Sequence, residues 1–439
     1  MTLHLPYEVI YHMLRETQRD TSGFIDDDPH RLHRDRRTLA FCSLVCLAWR
    51  LPAQALLFEG LTVSLGSTLD GFLVFLRSTP HAANAIRSLR LQPGTMPYDD
   101  GDEDTVDAEI HGVQLWEHVQ QTSSERLLSP ALLMDIVGTL HGLTHLHVEH
   151  SVFLGWPGGH SLPTRPKSLQ SLNLFGNAYM PLVQPGSQPF DILSFFKLGQ
   201  LTVAGNHDAY GSQQHVPPVA VLAILDNRPP VVSDLRFYGH DCFLECNLRH
   251  GGCDVDRLTL YVSDIAPDVL DVRSLLEHYG RNATHIHLDI DYSVEREFPE
   301  EDVGWQTCSL AACTQLQLLW LSWEIDELRP DQNHAEVYDA IVGSAPRTLS
   351  ELKISLSSPH RVTKEEFEPV ASCLAPRFVQ ALARFPEIRE VVLTVTRAFD
   401  YDDCKEMIHG MLPRAVVESP VFRMATKPSG HPIRNIDNL

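Results

Sequence analysis

One phrase recurs along most of this chain: an apolar residue, two others, an apolar residue, one other, and a third apolar residue before a polar or small one. Leu169-Gln170-Ser171-Leu172-Asn173-Leu174-Phe175-Gly176-Asn177 is the clearest copy, and Leu198-Gly199-Gln200-Leu201-Thr202-Val203-Ala204-Gly205-Asn206 follows it. Further copies centre on Leu89, Leu146, Leu235, Leu258, Ile286, Leu319, Leu352 and Val391. In all ten the residue two beyond the centre is also apolar: Leu91, Val148, Leu174, Val203, Phe237, Leu260, Leu288, Leu321, Ile354 and Leu393. Alternation with period two is a strand with one buried and one outward edge. A unit this short cannot cover its own apolar edge, so the copies must stack to make a core.

From Leu146 onward the centres are 26, 29, 34, 23, 28, 33, 33 and 39 residues apart. The phrase resembles the leucine-rich repeat, whose period is roughly 20–29 residues, so several units carry longer connections. Helical stretches precede many of the strands: Pro130 to Leu140, Val269 to Tyr279, Ala335 to Val342 and Arg377 to Arg384. Helix alternating with strand at this period implies an α/β solenoid with a parallel sheet inside and helices outside, over residues 86–400. The interval from Leu89 to Leu146 spans about two periods and holds an acidic loop at 97–108; Ile110-His111-Gly112-Val113-Gln114-Leu115 is a candidate hidden copy there. Residues 61–85 read as a linker helix, 401–420 as a C-terminal capping helix and 421–439 as a disordered tail.

Residues 1–60 have a different texture. Leu5, Val9, Ile10, Met13 and Leu14 form a helical stripe opened by Pro6, whose missing N–H matters little in a first turn. Residues 17–37 are charged and aperiodic and read as a loop. Thr38 to Trp49 reads as a second helix, stopped by Pro52, and Ala55 to Phe58 as a third brief apolar element. In order, Leu5-Pro6-Tyr7-Glu8-Val9-Ile10, then Leu44-Val45-Cys46 and Trp49, then Leu56-Leu57-Phe58, resemble the F-box in its fungal form. The long charged insertion between the first two helices departs from that family's pattern. The resemblance implies docking to a Skp-type adaptor, and through it to a cullin. By position Leu5, Pro6, Ile10, Leu44, Val45 and Trp49 would form the docking face, with Trp49 as its aromatic anchor.

Charge narrows the partners. Lys plus Arg is 35 and Asp plus Glu is 57, a net of −22, which repels phosphate backbones and anionic lipid. Arg31, Arg34, Arg36 and Arg37 are the one dense basic stretch, and Asp26, Asp27 and Asp28 beside them offset it. Neither nucleic acid nor membrane is an expected partner. No apolar run approaches the roughly 18 residues of a membrane helix, and the N-terminus lacks the cationic start of a secretory signal. Nine cysteines, an odd number, read as reduced thiols of a cytoplasmic or nuclear protein.

Chemistry finds little footing. Gly205-Asn206-His207-Asp208 after a strand has the wording of a metallophosphatase, but the upstream metal-binding aspartates of that family are missing and Asn206 sits where Asn177 does one unit earlier. His240, Cys242, Cys246, His250 and Cys253 are close enough to hold zinc, yet their spacing fits no standard finger. There is no phosphate-cradling glycine loop and no nucleophile elbow. The expectation is a protein without catalytic residues, metal or cofactor.

The outward strand positions lie one and three past each centre and form the default binding surface of a repeat array. Across the middle repeats they include Phe175, Arg236, Tyr238, Tyr261, His287, Asp289 and Trp320, rich in the residue types that dominate protein interfaces. The expected function is the substrate-recognition subunit of a cullin–RING ubiquitin ligase, with an unknown protein target on this surface. The alternative is a non-catalytic repeat scaffold with a vestigial F-box and no ligase role.

Overall fold

The computed structural model describes residues 7–19, 29–65, 68–93, 127–153, 166–175, 178–179, 195–204, 232–238, 255–263, 272–273, 275–277, 279–291, 308–324, 332–358 and 360–426. Two compact units are present, the first built from Met1–Phe196 and the second running largely from Lys197 to Ser429.

The first unit opens with α1 (Tyr7–Arg19), α2 (Pro29–Val45) and α3 (Leu47–Glu59). Ile10, Leu14, Leu39, Ala53 and Leu56 are buried together, with Tyr11, Cys42, Trp49 and Leu57 packed against them. Two sequence expectations fail here. The charged segment is not a loop throughout, because α2 already begins at Pro29. Charge without apolar period does not oppose helix when the same helix carries a buried stripe further on, and Leu39 supplies it. Pro52 does not end a helix either: it lies inside α3, and the break falls at Cys46, whose extended backbone (φ −162°, ψ 167°) caps α3. A proline inside a helix costs about 3 kcal/mol, which the burial of Ala53 and Leu56 in the bundle core offsets.

After the helices come β1 (Gly60–Ser64), α4 (Thr68–Ser78), α5 (Pro80–Ala85), β2 (Ser88–Gln92), β3 (Leu127–Leu128), α6 (Pro130–Thr139), β4 (His145–Glu149), β5 (Val152–Phe153), β6 (Lys167–Phe175) and β7 (Ala178–Tyr179). Strands β1, β2, β4 and β6 pair side by side, all parallel, and β3, β5 and β7 form a second small parallel sheet. The ladder therefore starts at Gly60 and not at residue 86: 61–85 is a strand and two helices where a linker helix was expected. Leu61-Thr62-Val63 carries the same alternation in a shorter form.

In the second unit β8 (Phe196–Ala204), β9 (Val232–Tyr238), β10 (Arg257–Ser263), β11 (His285–Asp291), β12 (Leu318–Glu324), β13 (Glu351–Ser357), β14 (Glu390–Val395) and β15 (Phe422–Thr426) pair consecutively and in parallel. Between the later strands run α7 (Gln332–Ser344), α8 (Lys364–Arg384), α9 (Tyr401–Met411) and α10 (Arg414–Val417). The capping region thus holds two helices, and the tail expected to be disordered from residue 421 contains a sheet strand. Phe422 explains it: its side chain is buried and its Cα pairs with Val391. Helix α8 also begins well before Arg377, because a reciprocal capping box between Thr363 and Glu366 fixes its start and Phe367, Val370, Leu374 and Phe378 bury one face despite Pro369 and Pro376. The expected helix at Val269 to Tyr279, the acidic loop and the candidate copy at 110–115 fall wholly or partly outside the described residues.

Register is the central fact of both sheets. Leu61, Leu89, Leu146 and Leu172 are successive Cα partners in the first unit. In the second, Leu201, Leu235, Leu258, Ile286, Leu319, Leu352, Val391 and Phe422 are partners without a single offset. All ten centres read from the sequence are at most 1% exposed. Backbone groups ahead of the strands are tied in the same rhythm. Thr284 N–H donates to the Asp256 carbonyl, Gln317 to Thr284, Ser350 to Gln317 and Arg389 to Ser350. The parallel α/β class expected from the sequence holds in each unit.

Leu288→Ala, at a position with no solvent exposure, is expected to lower stability by about 2–5 kcal/mol, measured by urea unfolding; Thr259→Ala on the opposite face of the sheet should change it far less. Burial also pushes the Cys308, Cys313 and Cys404 thiols up to about 12. Iodoacetamide at pH 8 should therefore modify exposed Cys46 well before these three, as peptide mass analysis will read.

Candidate interaction surfaces

The helical module exposes several large apolar side chains. Val9 and Met13, one helical turn apart on α1, are 42% and 49% exposed. On α2, Phe41, Leu44 and Val45 are 58%, 75% and 69% exposed, and Leu51 on α3 is 60% exposed. These six are most of the large exposed apolar residues among the described residues. The docking face expected from the sequence is divided by this arrangement. Leu44 and Val45 are on the surface, whereas Ile10 is buried and Trp49 packs against the bundle core. Ile10 and Val9 are adjacent on one helix and point about 100° apart, so a bundle that buries Ile10 leaves Val9 and Met13 outward. Leu5 and Pro6 lie outside the described residues.

In the second unit the outward positions form two rows. Arg236, Thr259, His287, Trp320 and Lys353 are successive partners, as are Tyr238, Tyr261, Asp289, Ser322 and Ser355. The rows are closely knit. Tyr238 and Tyr261 rings lie 6.0 Å apart, and His287 stacks on Trp320 at 4.0 Å with 15° between the planes. Trp320 Nε1–H donates to Ser355 Oγ at 2.8 Å, and His287 Nε2 is 2.8 Å from Ser322 Oγ. Arg236 is held by Asp234 on its own strand at 2.9 Å, and Lys353 by Glu351 at 3.1 Å. Tyr238 and Asp289, expected to face solvent, are buried. Strands about 4.8 Å apart bring large side chains of one row into contact, so a position outward by alternation is still covered by its neighbours. Burial raises the Tyr238 phenol above its usual value, and the nearby Asp289 and Asp234 add to this against Arg236. Half-buried Tyr261, His287, Trp320 and Arg236 remain to meet a partner.

The first unit carries a polar counterpart. Arg90, His147 and Asn173 form one row, and Gln92, Glu149 and Phe175 lie two residues further along the same strands. Arg90 and Glu149 form an ion pair, with Nε 2.8 Å from Oε1, and Asn173 Nδ2 lies 3.0 Å from His147 Nδ1. His145 Nδ1 is 2.7 Å from Ser171 Oγ. Burial raises the Glu149 carboxyl, opposed by Arg90. Burial, then Arg90 and His145, lowers His147 to about 4, so its imidazole is neutral at physiological pH and can accept from Asn173. Of this group the sequence reading named Phe175, which is half-buried beside Glu149. Arg90, His147 and Glu149 obey the same rule of one and three past the centre; they were missed because only the middle repeats were read that way.

Elsewhere, a cavity of about 350 Å³ lies at the starts of α8 and α9, lined by Arg361, Lys364, Asp400 and Asp403, whose charges offset one another. Thr363 and Asp400 already cap those helices. Among the described residues no group of three or more His, Cys, Asp or Glu could hold a metal ion, and no helix is long and apolar enough to cross a membrane. The Gly205–Asp208 segment and the cysteine and histidine cluster at 240–253 lie outside the described residues.

His147 yields a pH signature. Its folded value of about 4 lies below the ordinary 6.5, so on acidification the unfolded chain takes up a proton that the folded chain refuses, and stability drains away between those values. In His147→Gln the melting temperature should fall less steeply from pH 6.5 to pH 4 than in wild type, as thermal melts across that range will show. Compared with known proteins, the chain matches no family model and no curated protein.

Proposed function

We propose that the chain is the substrate-recognition subunit of an SCF-type cullin–RING ubiquitin ligase, with an F-box at its N-terminus and leucine-rich repeats behind it. The observation that carries this reading is the exposed apolar surface of α1 to α3, where Val9, Met13, Phe41, Leu44, Val45 and Leu51 stand in water. Monomeric surfaces rarely gather such residues without a partner, and apolar helix faces are a standard mode of docking. The Leu44-Val45-Cys46 wording of the F-box supplies part of that surface. On this reading the adaptor packs against α1 and α2, and the target meets Phe175 in the first unit or the half-buried Arg236, Tyr261, His287 and Trp320 in the second. The chain contributes proximity and orientation, and no catalytic group.

Burial of Ile10 and packing of Trp49 favour a second reading, in which the three helices act as a cap for the first unit of a non-catalytic scaffold. Co-expression with a Skp-type adaptor separates the two. Wild type should elute as a stoichiometric complex on size exclusion, and Leu44→Asp with Val45→Asp, both at exposed positions, should abolish it while melting as wild type does. Well-folded wild type that forms no complex would leave the scaffold reading in its place.

A further inference from the structure

The row of polar groups in the first unit holds an imbalance that its own residues do not resolve. Glu149 is 4% exposed, on the face of β4 opposite the apolar core. Its Oε1 pairs with the Arg90 guanidinium, with Nε 2.8 Å away, but among the described residues nothing donates to the buried Oε2. Asn173 on the neighbouring strand repeats the pattern: its Nδ2 is engaged with His147, and its Oδ1 is buried without a donor. Both groups are acceptors. A buried acceptor left without a donor costs about 1–3 kcal/mol, and more when it is charged, so the pair selects a ligand that brings N–H or O–H groups and excludes an anion.

Three further features favour a cation over a neutral donor. Glu149 is buried with the Arg90 guanidinium against one of its oxygens, and a charge-assisted bond to the other is worth roughly twice a neutral one. The half-buried Phe175 is its register partner on β6, placing an aromatic ring beside the carboxylate. The chain's net charge of −22 draws cations toward it. The two buried acceptors are bordered by Arg90, His147, Asn173 and Phe175, each partly exposed, whose side chains a ligand would displace to reach them.

We propose that the strand face of the first unit is a receptor for a lysine or arginine side chain of a protein target, whose N–H groups reach Glu149 Oε2 and Asn173 Oδ1 beside the Phe175 ring. The neutral His147 imidazole is a positioning residue: by accepting from Asn173 Nδ2 it fixes the amide with its oxygen available to the ligand. This rests on the reading of the strand faces as target-binding surfaces and narrows the target to one presenting a basic residue.

The test is isothermal titration of the full-length protein, at physiological ionic strength, with the peptide acetyl-Gly-Gly-Arg-Gly-Gly-amide and its citrulline twin, which keeps the shape and loses the charge. The arginine peptide is expected to bind at least about tenfold more tightly than the twin. Glu149→Gln should erase that preference, Asn173→Ala should reduce it about fivefold, and Glu365→Gln on α8 should leave it intact. Equal affinity for the two peptides in wild type overturns the proposal, as does a preference that survives in Asn173→Ala and Glu149→Gln or is lost equally in Glu365→Gln. Should Glu149→Gln fail to fold, Asn173→Ala at its partly exposed site still decides. Peptide failure with intact adaptor binding rejects this site alone; lost adaptor binding with intact peptide preference rejects the ligase reading alone.

Discussion

A parallel ladder tolerates no slip. Side chains alternate across a strand, so an offset of one residue between Leu288 and Leu321 would carry the whole apolar edge of β12 to the outer face and bring Trp320 and Ser322 into the core. Zero offset at every described pairing keeps the apolar edges continuous within each unit. It also sets everything on the other face: His287 meets Trp320, and Tyr261 meets Tyr238, only because Ile286 meets Leu319 and Leu258 meets Leu235. The interaction surfaces are a by-product of core register. That is why connections of very different length can be accommodated, since the loops need only return the next strand to the same rung.

The two units use the outer face differently. In the second, rings and hydroxyls satisfy one another across strands through Trp320 to Ser355 and His287 to Ser322, and charged groups are matched within single strands, as Arg236 to Asp234 and Lys353 to Glu351, or across the last two, Arg423 on β15 to Glu390 on β14. In the first, charge is matched across strands, Arg90 on β2 to Glu149 on β4, and the match is incomplete. A buried ion pair is weak support for stability, because desolvation offsets most of its attraction.

The three N-terminal helices follow another economy. Their core is small, centred on Ile10, Leu14, Leu39, Ala53 and Leu56, and the apolar residues beyond it remain outside. A bundle of this size cannot enclose them all. Residues of one sequence motif are thereby sorted by geometry, Ile10 and Trp49 to the inside and Leu44 and Val45 to the outside, and only the latter pair can meet a partner directly.

Sequence by itself determined the strand centres and the parallel α/β class, because a period of two is a local property that survives without knowledge of neighbours. It also held the signal for Arg90, His147 and Glu149, at the same offsets from Leu89 and Leu146 as Trp320 and Ser322 have from Leu319. Tertiary structure alone decided the rest. The extra rungs at Leu61 and Phe422 form because a neighbouring strand offers its edge. Pro52, Pro369 and Pro376 sit within helices because packing outweighs the proline penalty. Tyr238 and Asp289 are buried, and Glu149 finds Arg90, because strands less than 5 Å apart make the environment of each outward side chain a matter of which residue stands on the next rung, a fact that no single segment of the chain contains.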